Sequence, residues 1–203
     1  MKSNQSGFTL IEIAIVLVII GLLLGGVLKG QELINSAKVK NLANDLKNTP
    51  VLMYGYQDKF KAIPGDDIAA VSHVGATATQ LSGGTAGNGV INGNWDSTSA
   101  ADESYLFWQH VSLAGLSAGG ATAPTNAVGG KLGVTGSTPV QGVPGSFIVC
   151  TGNIPGKLAM QLDTTLDDGN TSTGSMRAIL STVASGVAAT VTPADESTLY
   201  TVC

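Results

Sequence analysis

Polar and apolar positions divide the first third of the chain into three stretches. Met1 to Gly7 is a short, mostly polar lead-in carrying Lys2. From Phe8 to Leu28 every residue is apolar except Thr9, Glu12 and the glycines at 21, 25 and 26. A helix of about 21 residues spans about 31 Å, close to the hydrocarbon core of a bilayer. Beyond it, apolar residues recur at Leu33, Ile34, Ala37, Leu42, Ala43, Leu46, Met53, Tyr54 and Phe60. Steps of three, four and seven predict an amphipathic helix continuing the apolar one. Lys38, Asn41, Asp45 and Lys47 fall on its polar side. Pro50 is expected to kink or interrupt it near Asn48–Thr49. Ile63-Pro64-Gly65 is expected to end it, and Asp66 or Asp67 to cap a short turn that follows.

The remaining pattern is broken up. Residues 72–103 are rich in Gly, Ser, Thr, Ala and Asn and predict a long surface loop with one short strand. Tyr105, Leu106, Phe107, Trp108, Val111, Leu113 and Leu116 predict a short buried helix, started by Asp102 or Ser104 and closed by Gly115 or Gly119. A second loop runs through 117–145. Ser146 to Cys150 reads as a strand, Asn153 to Leu166 as a helix stopped by Asp-Asp-Gly at 167–169, and 176–183, 186–191 and 198–203 as strands. The expected fold class is α+β: a long N-terminal helix, membrane-spanning and then amphipathic, on an antiparallel β-sheet head. The expected segments are a leader at 1–7, a transmembrane half-helix at 8–28, an amphipathic half-helix at 29–62 and a globular head at 63–203.

Glu12 is the one ionisable side chain in the apolar run. An acid in a transmembrane helix costs roughly 2.5–3.5 kcal/mol at its centre and less toward an end, and such acids usually pair with something. No Lys, Arg or His lies between Phe8 and Leu28. An α-amino group on Phe8, exposed by cleavage after Gly7, supplies the missing charge, either one turn away in the same helix or between staggered copies. The alternative is a plain signal anchor whose Glu12 is hydrated at the interface. A secretory signal has its apolar region before the cut and a small-residue site behind it. Here the polar lead-in comes first, so the apolar stretch is retained.

Gly7-Phe8-Thr9-Leu10-Ile11-Glu12 resembles the prepilin motif of type IV pilins and type II secretion pseudopilins. The strong likeness covers about residues 7 to 35, and a weaker one extends through Ala-Ile-Pro-Gly-Asp-Asp (62–67) and Leu-Phe-Trp-Gln-His (106–110). The resemblance implies a pilin-like fold, cleavage between Gly7 and Phe8 by prepilin peptidase, N-methylation of Phe8, and a subunit-docking and register role for Glu12. It implies other pilin subunits and the inner-membrane assembly machinery as partners. Localisation is then the inner membrane, N-terminus cytoplasmic, before assembly, and a surface filament or the periplasm afterwards. Many major pilins carry a proline near the end of the apolar run, where this chain has Lys29 and glycines at 21, 25, 26 and 30. Those glycines favour local melting or close helix packing.

Charge refines the picture. Residues 1–50 carry net +2 and residues 51–203 net −6. An acidic head speaks against direct nucleic-acid binding, which rests mainly on Lys and Arg at phosphates. Cys150 and Cys203 form an even pair, in a translocated head more consistent with a disulfide than a metal site, with two buried thiols as the alternative. Bridging them closes a loop of about 54 residues, worth roughly 4 kcal/mol on the chain-entropy model. A C-terminal disulfide loop resembles type IV pilins more than pseudopilins. Lys29, Lys38 and Lys40 after the span outnumber Lys2 before it, which on the positive-inside rule alone puts the head in the cytoplasm. The motif and the cysteine pair point the other way.

Catalytic signatures are not found. The chain has no Gly-x-Ser-x-Gly elbow and no phosphate loop, and His73 and His110 join no metal-ligand spacing. The expectation is a non-enzyme without a cofactor. Calcium is the one ion with a candidate set: Asp163, Asp167, Asp168 and Asn170 lie within eight residues. Their spacing is not that of an EF-hand, so Asp-Asp-Gly reads first as a helix stop. Trp95 and Trp108 are expected to be core or packing residues, with Trp95 the better candidate of the two for a surface contact. Three functions compete: a type IV pilus subunit, a type II secretion pseudopilin, and a membrane-anchored binding or adhesion module using the loops 72–103 and 117–145.

Overall fold

The computed structural model describes residues 9–203; Gly7 and Phe8 lie outside the described residues. Helix α1 runs from Leu10 to Phe60. The chain divides into two compact units, residues 1–37 and 38–203. The segment that packs with the head therefore starts at Lys38, nine residues later than the end of the apolar run suggests. In the first unit, Leu10 through Leu28 present their apolar side chains outward, and Leu33 and Ile34 are exposed as well.

In the second unit, α1 buries Val39, Leu42, Ala43, Thr49, Met53 and Tyr56. This stripe has helical spacing, and Tyr54, expected inside, lies on the other side and is 59% exposed. Pro50 does not interrupt the helix. It forfeits one i→i−4 hydrogen bond, but Thr49, Met53 and Tyr56 are clamped in the core on either side of it. The Thr49 hydroxyl also donates to the Asp45 carbonyl at 2.8 Å. The helix ends at Phe60, before Ile63-Pro64-Gly65, because Lys61 turns into the left-handed region at φ 57°.

The other elements are α2 (Ala70–Val74), α3 (Glu103–Leu113), β1 (Leu132–Thr135), β2 (Ile148–Pro155), α4 (Gly156–Leu166), β3 (Ala178–Leu180), a 3₁₀ turn (Pro193–Asp195) and β4 (Leu199–Val202). The sheet has the order β1-β2-β4-β3 with every pair antiparallel. The observed class is α+β, a long apolar N-terminal helix with a small antiparallel sheet, and it is pilin-like.

Two cores carry α1. Val39, Leu42 and Ala43 pack with Leu158, Ala159 and Leu162 of α4 and with Ile154, Tyr200 and Val202 of the sheet. Met53 and Tyr56 pack with Phe107, Trp108 and Val111 of α3 and with Leu132 and Val134 of β1.

Several boundaries differ from the sequence expectation. β1 falls in a segment read as loop; it is four residues long, contains Gly133, and exists by pairing with β2. Asn153 to Pro155 complete β2 instead of starting α4, because Ile154 is buried opposite Tyr200 beyond an irregularity in the ladder where Asn153 has φ 64°. Residues 186–191 form no strand; Gly186 bridges to Val140, and the Ala189 N–H donates to the Ala178 carbonyl at 2.7 Å. Trp95 is a half-buried packing residue, as expected. It lies over Gly133 and Gly152, where any Cβ would overlap it, and against the cluster around Cys150.

Candidate functional site: the N-terminal helix and its acid

The first turn of α1 explains how an acid is tolerated there. Thr9 occupies the position before the helix and Glu12 the third position within it. The Glu12 Oε2 accepts the Thr9 backbone N–H at 2.8 Å and the Thr9 hydroxyl at 2.6 Å. The Glu12 N–H returns a longer bond to the Thr9 hydroxyl at 3.3 Å. This is a capping box, in which an N-cap Thr and an N3 Glu satisfy each other's orphan donors. Thr-x-x-Glu before an apolar run is its sequence signature, and it is the signal that a search for a charged partner overlooks. Glu12 thus has a neutral partner one turn away, besides whatever the amine of Phe8 supplies. Both contacts fall on the same carboxylate oxygen.

Behind this cap, α1 is long and apolar enough to cross a membrane, and none of its most apolar window is buried. A Cβ built on Gly21, Gly25, Gly26 or Gly30 meets nothing within 4 Å, and the helix is continuous through all four. These glycines leave open surface on an unbroken helix. Lys29 and Glu32 pair at 2.6 Å, both about two-thirds exposed, an arrangement that contributes little to stability.

Residues 2–28 match the prokaryotic N-terminal methylation motif.

That motif is the prepilin-type leader of type IV pilins and pseudopilins, and the matched range includes Gly7, Phe8 and Glu12. The match covers the N-terminal segment and supports a pilin-like or pseudopilin-like prepilin; the motif's family is structural. The motif implies processing by prepilin peptidase and assembly with pilin or pseudopilin subunits, and with the apolar helix it is consistent with membrane anchoring before assembly. No curated protein and no solved structure gives a significant match to the chain.

The head is held by a disulfide and by buried acids. Cys150 of β2 and Cys203 are bonded across a sequence separation of 53, inside the cluster of Val140, Ile148 and Ile179. Asp67 accepts the Tyr56 hydroxyl at 2.7 Å, lies 2.7 Å from the His73 Nδ1, and caps the turn before α2 through the Ala69 N–H at 2.8 Å. Burial alone raises the Asp67 carboxyl; the bonds from His73, Tyr56 and Ala69 together outweigh it and hold it below the usual range. Burial and that same carboxylate push the Tyr56 phenol far upward. His110 is structural. Its Nδ1 accepts the Gly65 N–H at 2.9 Å, so Nε2 carries the proton and donates to the Thr79 carbonyl at 2.7 Å. Burial lowers its pKa and keeps it neutral.

Two acids that sequence reasoning missed organise the glycine-rich loop at 72–103. Asp66 accepts the N–H groups of Gly87, Asn88 and Gly89, the last at 2.7 Å. Glu103 accepts both the backbone and side-chain N–H of Asn92, at 2.8 and 2.9 Å. Ile91 between them is buried in the core. The loop is therefore anchored at its centre.

Asp163, Asp167 and Asp168 come together at the end of α4, while Asn170 turns its Oδ1 to the Ser172 hydroxyl at 2.8 Å. Burial, with the charges of Asp168 and Asp167, pushes the Asp163 carboxyl up to about 6. The Gly169 N–H offsets this slightly without reaching hydrogen-bond geometry. An acid with a raised folded-state pKa binds its proton more tightly when folded, so its contribution is full below the unfolded value and is lost as pH rises to the folded one. In chelator, the wild-type head is expected to lose about 2 kcal/mol relative to Asp163→Asn between pH 4 and pH 6. Urea melts of both proteins across that range check it, and parallel curves would refute it.

Proposed function

We propose that this protein is a structural subunit of a type IV pilus, cut between Gly7 and Phe8, methylated on Phe8, and polymerised through its N-terminal helix. The observation that carries the reading is an unbroken helix whose apolar segment from Leu10 to Leu28 is exposed and whose single acid there is capped in the first turn. Such a surface is stable in lipid before assembly and in a bundle of like helices afterwards, because both bury it. The open glycine positions permit close approach of neighbouring helices.

The bond between Cys150 and Cys203 supports a pilus over a pseudopilus. It also supports a head outside the cytoplasm, since disulfides persist in oxidising compartments. This weighs against the lysine bias after the span. Function as a tethered binding module is the second reading; the loop at 72–103, anchored by Asp66 and Glu103, is the surface that favours it.

Mass spectrometry of the purified protein tests the route. The expected N-terminal peptide begins at a methylated Phe8; an intact Met1 would indicate a plain anchor. Shearing cells and blotting the released fraction then tests polymerisation, with recovery in filaments expected and strict retention in membranes favouring the tethered module.

A further inference from the structure

Two neighbouring strands carry glycine where Trp95 is seated. Gly133 of β1 and Gly152 of β2 lie against it, and a Cβ on either would overlap it. Glycine inside a strand weakens it and often marks a close approach by a ligand or another backbone. The indole so accommodated is only half-buried, and its N–H makes no hydrogen bond among the described residues. It lines a cavity of about 200 Å³, walled by loop segments at 94–95, 135–139 and 184–185. Asn94, Ser137, Thr138 and Ser185 share the lining with Trp95 and Pro139. Their carboxamide and hydroxyls make no hydrogen bond among the described residues, and no lining side chain there is charged.

The walls are fixed from behind. The Asn94 carbonyl accepts the Ser104 hydroxyl at 2.7 Å and the Ser97 N–H at 3.1 Å. The Thr135 hydroxyl donates to the Gly93 carbonyl at 2.8 Å and accepts the Ser137 N–H at 2.9 Å, which ties two walls together. Gly186, next to Ser185, donates its N–H to the Pro139 carbonyl and accepts the Gln141 N–H, both at 2.9 Å. The backbone and Thr135 are thus engaged by the fold, and the other polar side chains remain for a ligand.

We propose that this cavity binds a neutral sugar ring, with the Trp95 indole as its apolar wall and Asn94, Ser137, Thr138 and Ser185 as partners for its hydroxyls. A sugar ring presents C–H groups on its faces, which pack on an aromatic side chain, and a rim of hydroxyls that both donate and accept. A carboxamide and hydroxyls also do both, so they match such a rim. The indole N–H adds a donor. A nucleobase would stack on tryptophan as well, but its phosphates call for Lys or Arg, which the lining lacks. An acidic sugar lacks a cation for the same reason, on a segment, residues 51–203, of net charge −6. The cavity has room for one ring, so a longer glycan would be held by a single unit. The site serves equally in a head carried on a filament or on a membrane tether, so it does not rest on the choice between those two readings.

The test uses the full-length subunit in a zwitterionic detergent, because sugar-headed detergents would compete. Glucose, galactose, mannose, N-acetylglucosamine and N-acetylgalactosamine are titrated singly and followed by saturation-transfer NMR and tryptophan fluorescence. At least one is expected to bind with Kd on the order of 1 mM, the range open to so small a ligand, and to change the fluorescence in step. Asn94→Ala/Ser185→Ala alters two exposed side chains, so it should melt with the wild type while weakening that sugar about tenfold or more. Trp95→Ala should abolish saturation transfer; if it does not fold, the double variant decides alone. Absence of saturation transfer from all five sugars overturns the site, and so does wild-type affinity in the folded double variant. Tighter binding of glucuronic acid or N-acetylneuraminic acid overturns the assignment to neutral sugars. A single-stranded oligonucleotide that displaces the bound sugar at lower concentration than the free sugar does overturns it in favour of nucleic acid.

Discussion

Removing the disulfide with Cys150→Ala/Cys203→Ala is expected to cost the head about 4 kcal/mol on the chain-entropy model. The bridge spans a separation of 53 residues, so it removes much of the unfolded chain's freedom. The loss is large against a typical domain stability of about 5–15 kcal/mol and corresponds to a Tm drop of roughly 10 °C. Both sulfurs lie inside an apolar cluster, so the alanines leave a small unfilled volume that adds to the cost. The backbone pairing of Cys203 with Arg177 holds the terminus in β4 without the bridge, so the variant should still fold at low temperature. Trp95 packs against the same cluster and reports the transition by fluorescence. A melt within 2 °C of wild type would show that the sheet, not the bridge, secures the terminus. Reduction of the wild type should reproduce the variant.

Glu12→Ala is expected to leave membrane-anchored subunit within about twofold of wild type while lowering filaments in the sheared fraction at least tenfold. The subunit survives because the helix is apolar throughout, and losing an acid makes insertion easier, not harder. The capping box complicates the interpretation, because alanine also removes the bonds to Thr9. Losing a cap costs a helix about 1 kcal/mol, too little to unfold a membrane span but enough to fray its first turn. Glu12→Gln separates the two roles. Glutamine keeps an acceptor for Thr9, as capping boxes allow, and loses the charge. If charge pairing sets register, Gln abolishes filaments as Ala does. Filament yield at wild-type level in Gln but not Ala would assign the effect to the cap instead.

The site was legible in sequence to different depths. Glu12 stood out because one acid in an apolar run is conspicuous. Its partner Thr9 did not, because attention to charge passes over a neutral hydroxyl three residues away. The acidic group at 163–168 was visible as composition, but its spacing offered no motif. What distinguishes it is that Asp163 points inward without a donor, a property of packing alone. Asp66 stood out only as a candidate turn cap and Glu103 not at all, since the N–H groups they accept lie 11 to 23 residues away along the chain. Pro50 shows the reverse case. Its local rule predicts a break, and burial of Thr49 and Met53 on either side overrides it.

By itself the sequence determined the long N-terminal helix, its apolar character, the processing motif at residues 2–28, and the α+β class of the head. These follow from local pattern: period, length, and a contiguous motif, none of which needs a distant residue. Tertiary structure decided the rest. It placed β1 and the end of β2 by pairing strands, carried α1 through Pro50, seated Trp95 over Gly133 and Gly152, and bent the glycine-rich loop onto two acids. Each of these depends on hydrogen bonds or apolar contacts between segments far apart in the chain. Such contacts are favourable only once both segments are present, so no window of sequence contains them.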